Sequence, residues 1–176
     1  MKTLSLKLVA YIYFFLYCIR NNVFGKLKFI DDDNEVWYAK HSGKLVTVNL
    51  SKCRTRHLIQ RKIAHEVWHM VQYKKDAEKL LWLERLQQEF EQPDGPYTWL
   101  DFYYCSPSEL EARYYELFDK QPPPFFDSLS LQSIQWFDRL GILIPVLRTK
   151  AYEILEQTGE LHLVTQLRLP PYNHSL

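Results

Sequence analysis

Cysteine is scarce in this chain. Cys18, Cys53 and Cys105 are the only three, far apart and without a CxxC pair. An odd, scattered set offers no disulfide framework and no cysteine-rich zinc ribbon. The three are read as reduced, buried thiols. Charge of one sign is also lacking. Lys and Arg number 22 against 21 Asp and Glu, a formal net charge of +1. That sum gives no electrostatic case for nucleic acid or for an anionic membrane. No internal repeat and no low-complexity segment is present. The apolar run Leu8 to Ile19 stops at twelve residues, short of the roughly 20 that a bilayer-spanning helix needs.

What remains is an ordinary globular composition. Of 176 residues, 47% are hydrophobic and 24% charged, with many aromatics (12 Tyr, 10 Phe, 5 Trp). The length suggests one domain, large enough to bury roughly 70% of the surface its unfolded chain exposes. The run Leu8–Ile19, with Lys2 and Lys7 before it, fits a first helix buried in the core. It also fits the apolar heart of a signal peptide, with Val23-Phe24-Gly25 as the cleavage site, or a membrane-associating segment. The buried helix is preferred, because Arg20-Asn21-Asn22 follows the run at once. The corresponding expectation is a cytoplasmic protein, with a secreted or membrane-associated one as the alternatives.

From Lys26 three β-prone runs follow, "KLKFI", "EVWYAK" and "KLVTVNL", separated by "DDDN" and "HSGK". The separators carry turn chemistry, which predicts a three-stranded antiparallel meander. In the third run Val46, Val48 and Leu50 alternate with Leu45, Thr47 and Asn49, the period of a half-buried strand. The aspartates of "DDDN" read as a solvated turn; the Gly and Glu of a calcium loop do not follow them. A helix is predicted over roughly residues 54–75, capped by Ser51 or Thr55, with Ile59, Ile63, Val67 and Met70 as its core stripe. A second amphipathic helix is predicted over 76–91, with Leu80, Leu81, Leu83, Leu86 and Phe90 on its apolar side and Pro93-Asp94-Gly95-Pro96 as its stop. "YTWLDFYY" (97–104) reads as an aromatic connection. Ser106, Pro107 and Glu109 announce a further helix to about Lys120, with Leu110, Tyr114, Leu117 and Phe118 on its buried face. Two more helices are expected near 129–140 and 144–158, ended by Gly141 and Gly159, then a strand fragment and tail.

The chemistry lies in "IAHEVWHMVQ", residues 63–72. On a helix, positions i and i+4 share a face, so His65 and His69 can grip one ion. Imidazole is a preferred zinc ligand at about 2.0–2.1 Å, and a zinc site needs three or four such bonds. Glu66 stands about 100° further round the helix. There it can take a proton from a water whose pKa the metal lowers to about 7. The bland alternative is a solvated helix face whose histidines bind nothing.

A third ligand must come from elsewhere. Gln72 and Lys75 stand where the metzincin continuation would need Gly and His. The "PSELEAR" segment offers Glu109 and Glu111, about 200° apart around their helix, so one of them can face the metal. Otherwise Glu109 is the capping partner of Ser106 and Glu111 a solvated charge.

"HEVWH" followed by "ELEA" resembles the zincin metallopeptidases of gluzincin type. With a short β-meander before the motif helix, the pattern is similar to ImmA/IrrE-type and minimal gluzincin domains. The resemblance covers about residues 36–118. It implies an α+β, zincin-like fold, with the small meander packed on an active-site helix and further helices C-terminal to it. It implies Zn2+ as cofactor, a peptide or protein as substrate, and Glu109 as third ligand, with Glu111 as second choice. The chain departs at Arg113, where the family often has Asp or Asn to orient a zinc-binding histidine; Asp101 or Glu116 are the substitutes. Tyr115, Tyr104 and His162 are candidates to stabilise the oxyanion, while His57 reads as surface. The strand Lys44–Leu50 is the edge along which an extended peptide would lie.

The expected organisation is an apolar helix over 1–25, a zincin-like catalytic domain over 26–120, and a helical extension of it over 121–176. The expected activity is zinc-dependent peptide hydrolysis with Glu66 as general base. The alternative is a catalytically inactive zinc-binding regulatory or scaffold domain. Membrane association through residues 8–19 is a third reading.

Overall fold

The computed structural model describes residues 2–89 and 98–171. It is a mixed α+β chain: α1 (Lys2–Arg20), β1 (Lys26–Ile30), β2 (Ala39–Ser42), β3 (Leu45–Asn49), α2 (Arg56–Lys75), α3 (Ala77–Glu89), α4 (Trp99–Cys105), α5 (Pro107–Phe118), α6 (Leu131–Arg139) and α7 (Leu143–Gln157). Short 3-10 turns cover Phe126–Ser128 and Leu161–Leu163. Two compact units result. One is Met1–Lys75 with Tyr115–Lys120; the other is Asp76–Tyr114 with Gln121–Leu176.

In the first unit the sheet order is β1-β3-β2, with β1 parallel to β3 and β2 antiparallel to it. The expected antiparallel meander is therefore corrected. β3 takes the centre because it is the strand that buries both faces: Val46 and Val48 on one, Thr47 and Asn49 on the other. It is not half-buried. Nor is it an edge for an added peptide, since its backbone is paired on both sides; β2 and β1 are the edges.

The parallel pairing needs a crossover, and the Asn49 side chain organises it. Its Nδ2 donates to the Asp32 carbonyl at 2.8 Å, and its Oδ1 accepts from the backbone N–H of Asp32 at 3.3 Å and of Ser51 at 3.2 Å. Residues 31–38 thus form a tied connection, not a hairpin turn between neighbours. The true hairpin is β2–β3. Its two-residue turn is Gly43-Lys44, with Gly43 at φ +57, the left-handed conformation that such a turn demands of its first residue. Gly25, just before β1, lies so close to the Lys44 carbonyl and the Met70 side chain that a Cβ there would collide with both.

α2 is the axis of this unit. The Thr55 hydroxyl caps it by accepting from the Leu58 N–H at 3.2 Å. Ile59, Ile63, Val67 and Met70 are all buried. Residues 63–70 are buried on every side of the helix, because α1 and strands β2 and β3 cover it. α1 is buried on one side only: Ala10, Phe14, Tyr17 and Cys18 face inward while its other side faces water. The expectation of a fully buried first helix is corrected to that extent. Among the described residues no helix is long and apolar enough to cross a membrane.

In the second unit Leu80, Leu83 and Leu86 of α3 are buried but Leu81 is exposed. Phe90 and the stop at 93–96 lie outside the described residues. The connection 97–104 proves helical from Trp99. Thr98 and Asp101 form a reciprocal capping box there, so Asp101 serves as a helix cap. α6 begins at an Ser130 cap, and α6 and α7 end near Gly141 and Gly159 as expected. The last stretch holds the 3-10 turn Leu161–Leu163 in place of the expected strand fragment.

Buried charges of this unit bond the backbone. Arg113 Nη1 donates to the Leu167 carbonyl at 2.6 Å and Nη2 to that of Tyr104 at 2.8 Å. Lys79 Nζ donates to the Phe126 carbonyl and lies over its ring. Glu111 accepts from the Phe126 N–H at 2.7 Å. Glu111 is thus a buried anchor and not a solvated charge. On α5, residues 110–116 are all buried and Leu117 is exposed.

Candidate metal centre

His65, Glu66 and His69 lie mid-helix on α2, each buried. Helical spacing sets the two imidazoles side by side, and their Nε2 atoms are 3.2 Å apart. The other nitrogen of each ring is engaged. His69 Nδ1 lies 2.8 Å from Gln72 Oε1. His65 Nδ1 lies 3.0 Å from Glu116 Oε2, a close contact with the ring N–H off its ideal line. An acceptor beside each Nδ1 holds the ring proton there and turns the Nε2 lone pair inward. Two lone pairs facing each other at this distance suit a cation. Two bonds of about 2.0–2.1 Å at the tetrahedral angle put their nitrogens roughly 3.3 Å apart. The donor set therefore fits zinc.

Glu116 is held by more than His65. Lys62 Nζ lies 2.9 Å and Arg61 Nη2 3.3 Å from its Oε1. Burial alone would raise its pKa, but the His65 contact and the Lys62 charge bring it down to about 2. Of Asp101 and Glu116, Glu116 is the one placed on a motif histidine. Arg113 ties backbone in the second unit.

A residue that sequence reasoning passed over stands beside the motif. His41 on β2 stacks on the His69 ring, with centroids 4.7 Å apart and planes 18° from parallel. Its Nδ1 is 3.5 Å from Glu66 Oε2. Burial would raise the Glu66 pKa, but the His41 contact and the three nearby imidazoles outweigh it and lower it. His41, Glu66 and His69 have ligand atoms within 4.8 Å of one another and form a second conceivable metal grouping. Stacked rings disfavour it, since in-plane lone pairs of nearly parallel imidazoles do not converge on one ion. The His65 and His69 rings stand 75° apart, and theirs can. His41 therefore reads as the neighbour that fixes the Glu66 carboxylate.

No family model, no curated protein and no solved structure matches this chain.

Glu109 lies in the first turn of α5, in the second unit. It precedes Glu116 by seven residues, which places both on one face of that helix, about 10.5 Å apart along its axis. Of the oxyanion candidates, Tyr115 is core: its ring packs on Trp68 and Tyr17, and its hydroxyl accepts from Asn21 Nδ2 at 2.9 Å. Tyr104 accepts from Arg168 at 3.3 Å and faces the Arg113 guanidinium. His162 is exposed on its 3-10 turn, and His57 is exposed as expected.

Proposed function

We propose that this chain is a zinc metallopeptidase of zincin-like build, with His65, His69 and Glu109 as zinc ligands and Glu66 as general base. The observation that carries the proposal is the facing pair of Nε2 atoms, 3.2 Å apart, each ring held from behind by Glu116 or Gln72. Glu109 is preferred to Glu111 for two reasons. The Glu111 carboxylate is committed to the Phe126 N–H. Glu109 shares its helix face with Glu116, the residue that orients His65.

When bound, zinc supplies Lewis acidity to the attacking water and the scissile carbonyl. Glu66 then takes the proton from that water and passes it to the leaving amine. The Glu66 carboxylate is the acceptor, buried beside both histidines. His41 holds one of its oxygens, so the other is free to meet the water. β2, which carries His41, is an edge strand and offers its open backbone to an extended peptide.

The test is zinc content together with cleavage of a broad peptide library. The purified protein is expected to hold about one zinc per chain, and Glu66→Gln to keep it while hydrolysis falls by ~10²–10⁴-fold. Glu109→Ala should lose zinc and Glu111→Ala should not. A Glu66→Gln protein as active as the parent ends the proposal. The burial of His65, Glu66 and His69 favours one second reading, a zinc-binding regulatory or scaffold domain without turnover. Full zinc occupancy without any cleavage selects it.

A further inference from the structure

α1 is apolar on two sides. The inner side packs within the first unit. On the outer side Leu4, Leu8, Ile12, Phe15, Leu16 and Ile19 are each at least 50% exposed, and Tyr11 joins them. At 100° per residue these positions fill one arc of about 140° along the helix. Phe24 continues the exposed apolar surface beyond its end, at 78% exposure. A single exposed leucine needs no explanation; a continuous ridge of large apolar side chains marks an interaction surface.

Charge indicates what covers it. The first acidic residue in the chain is Asp31; the thirty residues before it hold Lys2, Lys7, Arg20, Lys26 and Lys28. The rest of the chain is net acidic, so the overall +1 conceals a basic N-terminal region. Arg20 is engaged by Asp119 at 2.7 Å, while Lys26 and Lys28 are exposed. A second copy on this ridge would set two basic regions against each other. An anionic lipid surface brings an acyl boundary to the ridge and phosphates to Lys7, which stands about 40° round α1 from Tyr11, at the edge of that arc. Tyr11 is an aromatic type favoured at the headgroup level, and Phe15 is a side chain suited to the apolar face of an interfacial helix.

We infer that the outer face of α1 docks the protein on an anionic lipid surface, the helix lying in the plane of the interface. Nothing in this depends on the metal centre. Flotation of the full chain tests it, with vesicles of equal parts phosphatidylcholine and phosphatidylglycerol and with phosphatidylcholine alone. The protein is expected to float with the mixed vesicles, several-fold less with phosphatidylcholine alone, and less again as salt rises. Leu8→Gln combined with Phe15→Gln should abolish flotation and leave the thermal transition unchanged, since both side chains face water. Lys7→Gln leaves the ridge intact and should weaken flotation on mixed vesicles only. The inference is overturned if the parent stays at the bottom with mixed vesicles, or if the Leu8/Phe15 variant floats as well as the parent. It is equally overturned if the parent is a dimer that this variant turns into monomers, because the ridge then belongs to a second copy.

Discussion

Both units bury charge, but they use it differently. In the second unit Arg113, Lys79 and Glu111 each reach a backbone carbonyl or N–H. In the first, Glu116 reaches His65, Gln72 reaches His69 and His41 reaches Glu66, side chain to side chain. Backbone partners make a buried charge a staple, because they satisfy it and fix a chain segment at once. Side-chain partners orient one another, and the chain they converge on leaves two lone pairs facing. Buried charge is therefore a poor guide to function until its partners are known.

The sharpest way to break this contrast is Arg113→Met. It strips donors from the carbonyls of Leu167, Tyr104 and Tyr103. At ~1 kcal/mol for each carbonyl left without that donor, the expected loss is about 3 kcal/mol of stability, read as a fall in Cm by urea titration. An unchanged Cm would mean that Arg113 is no staple. Next in size is Glu116→Gln, on the orienting side. Zinc affinity, measured by competition with a chelator, should drop by ~10–100-fold. Unaltered affinity would remove Glu116 from the proposed metal centre. The smallest effect is expected of Glu111→Gln, whose amide oxygen can still accept from the Phe126 N–H. A loss of ~1 kcal/mol is expected in the same urea titration, with zinc content unmoved.

Local signals were legible in the sequence, and pairings across distance were not. The ends of α2, α6 and α7 follow from caps, glycines and a 3.6-residue period, all of which act within a few residues. The α+β class follows from the same reading. The parallel pairing of β1 with β3 depends on Asn49 meeting residues 32 and 37, a contact that no local pattern announces. His41 was hidden for a related reason. It sits in "HSGK", which reads as a turn, and no fixed spacing links a strand histidine to a helical HExxH. A usable signal existed: with Gly43-Lys44 taken as a two-residue hairpin turn, His41 falls inside β2. Glu111 shows the opposite failure. Its charge suggested solvent, but it lies on α5 where 110–116 are buried throughout.

The Gly43-Lys44 turn has a consequence for how this protein can change in length. Side chains alternate faces along a strand, so adding or removing one residue between His41 and the turn would send the imidazole to the opposite face of the sheet. Substitutions at Lys40 or Ser42 leave that parity intact. Drift among descendants of this chain should therefore rewrite the β2 hairpin letter by letter and spare its count, whereas insertions collect at 34–36, between the two residues that Asn49 holds.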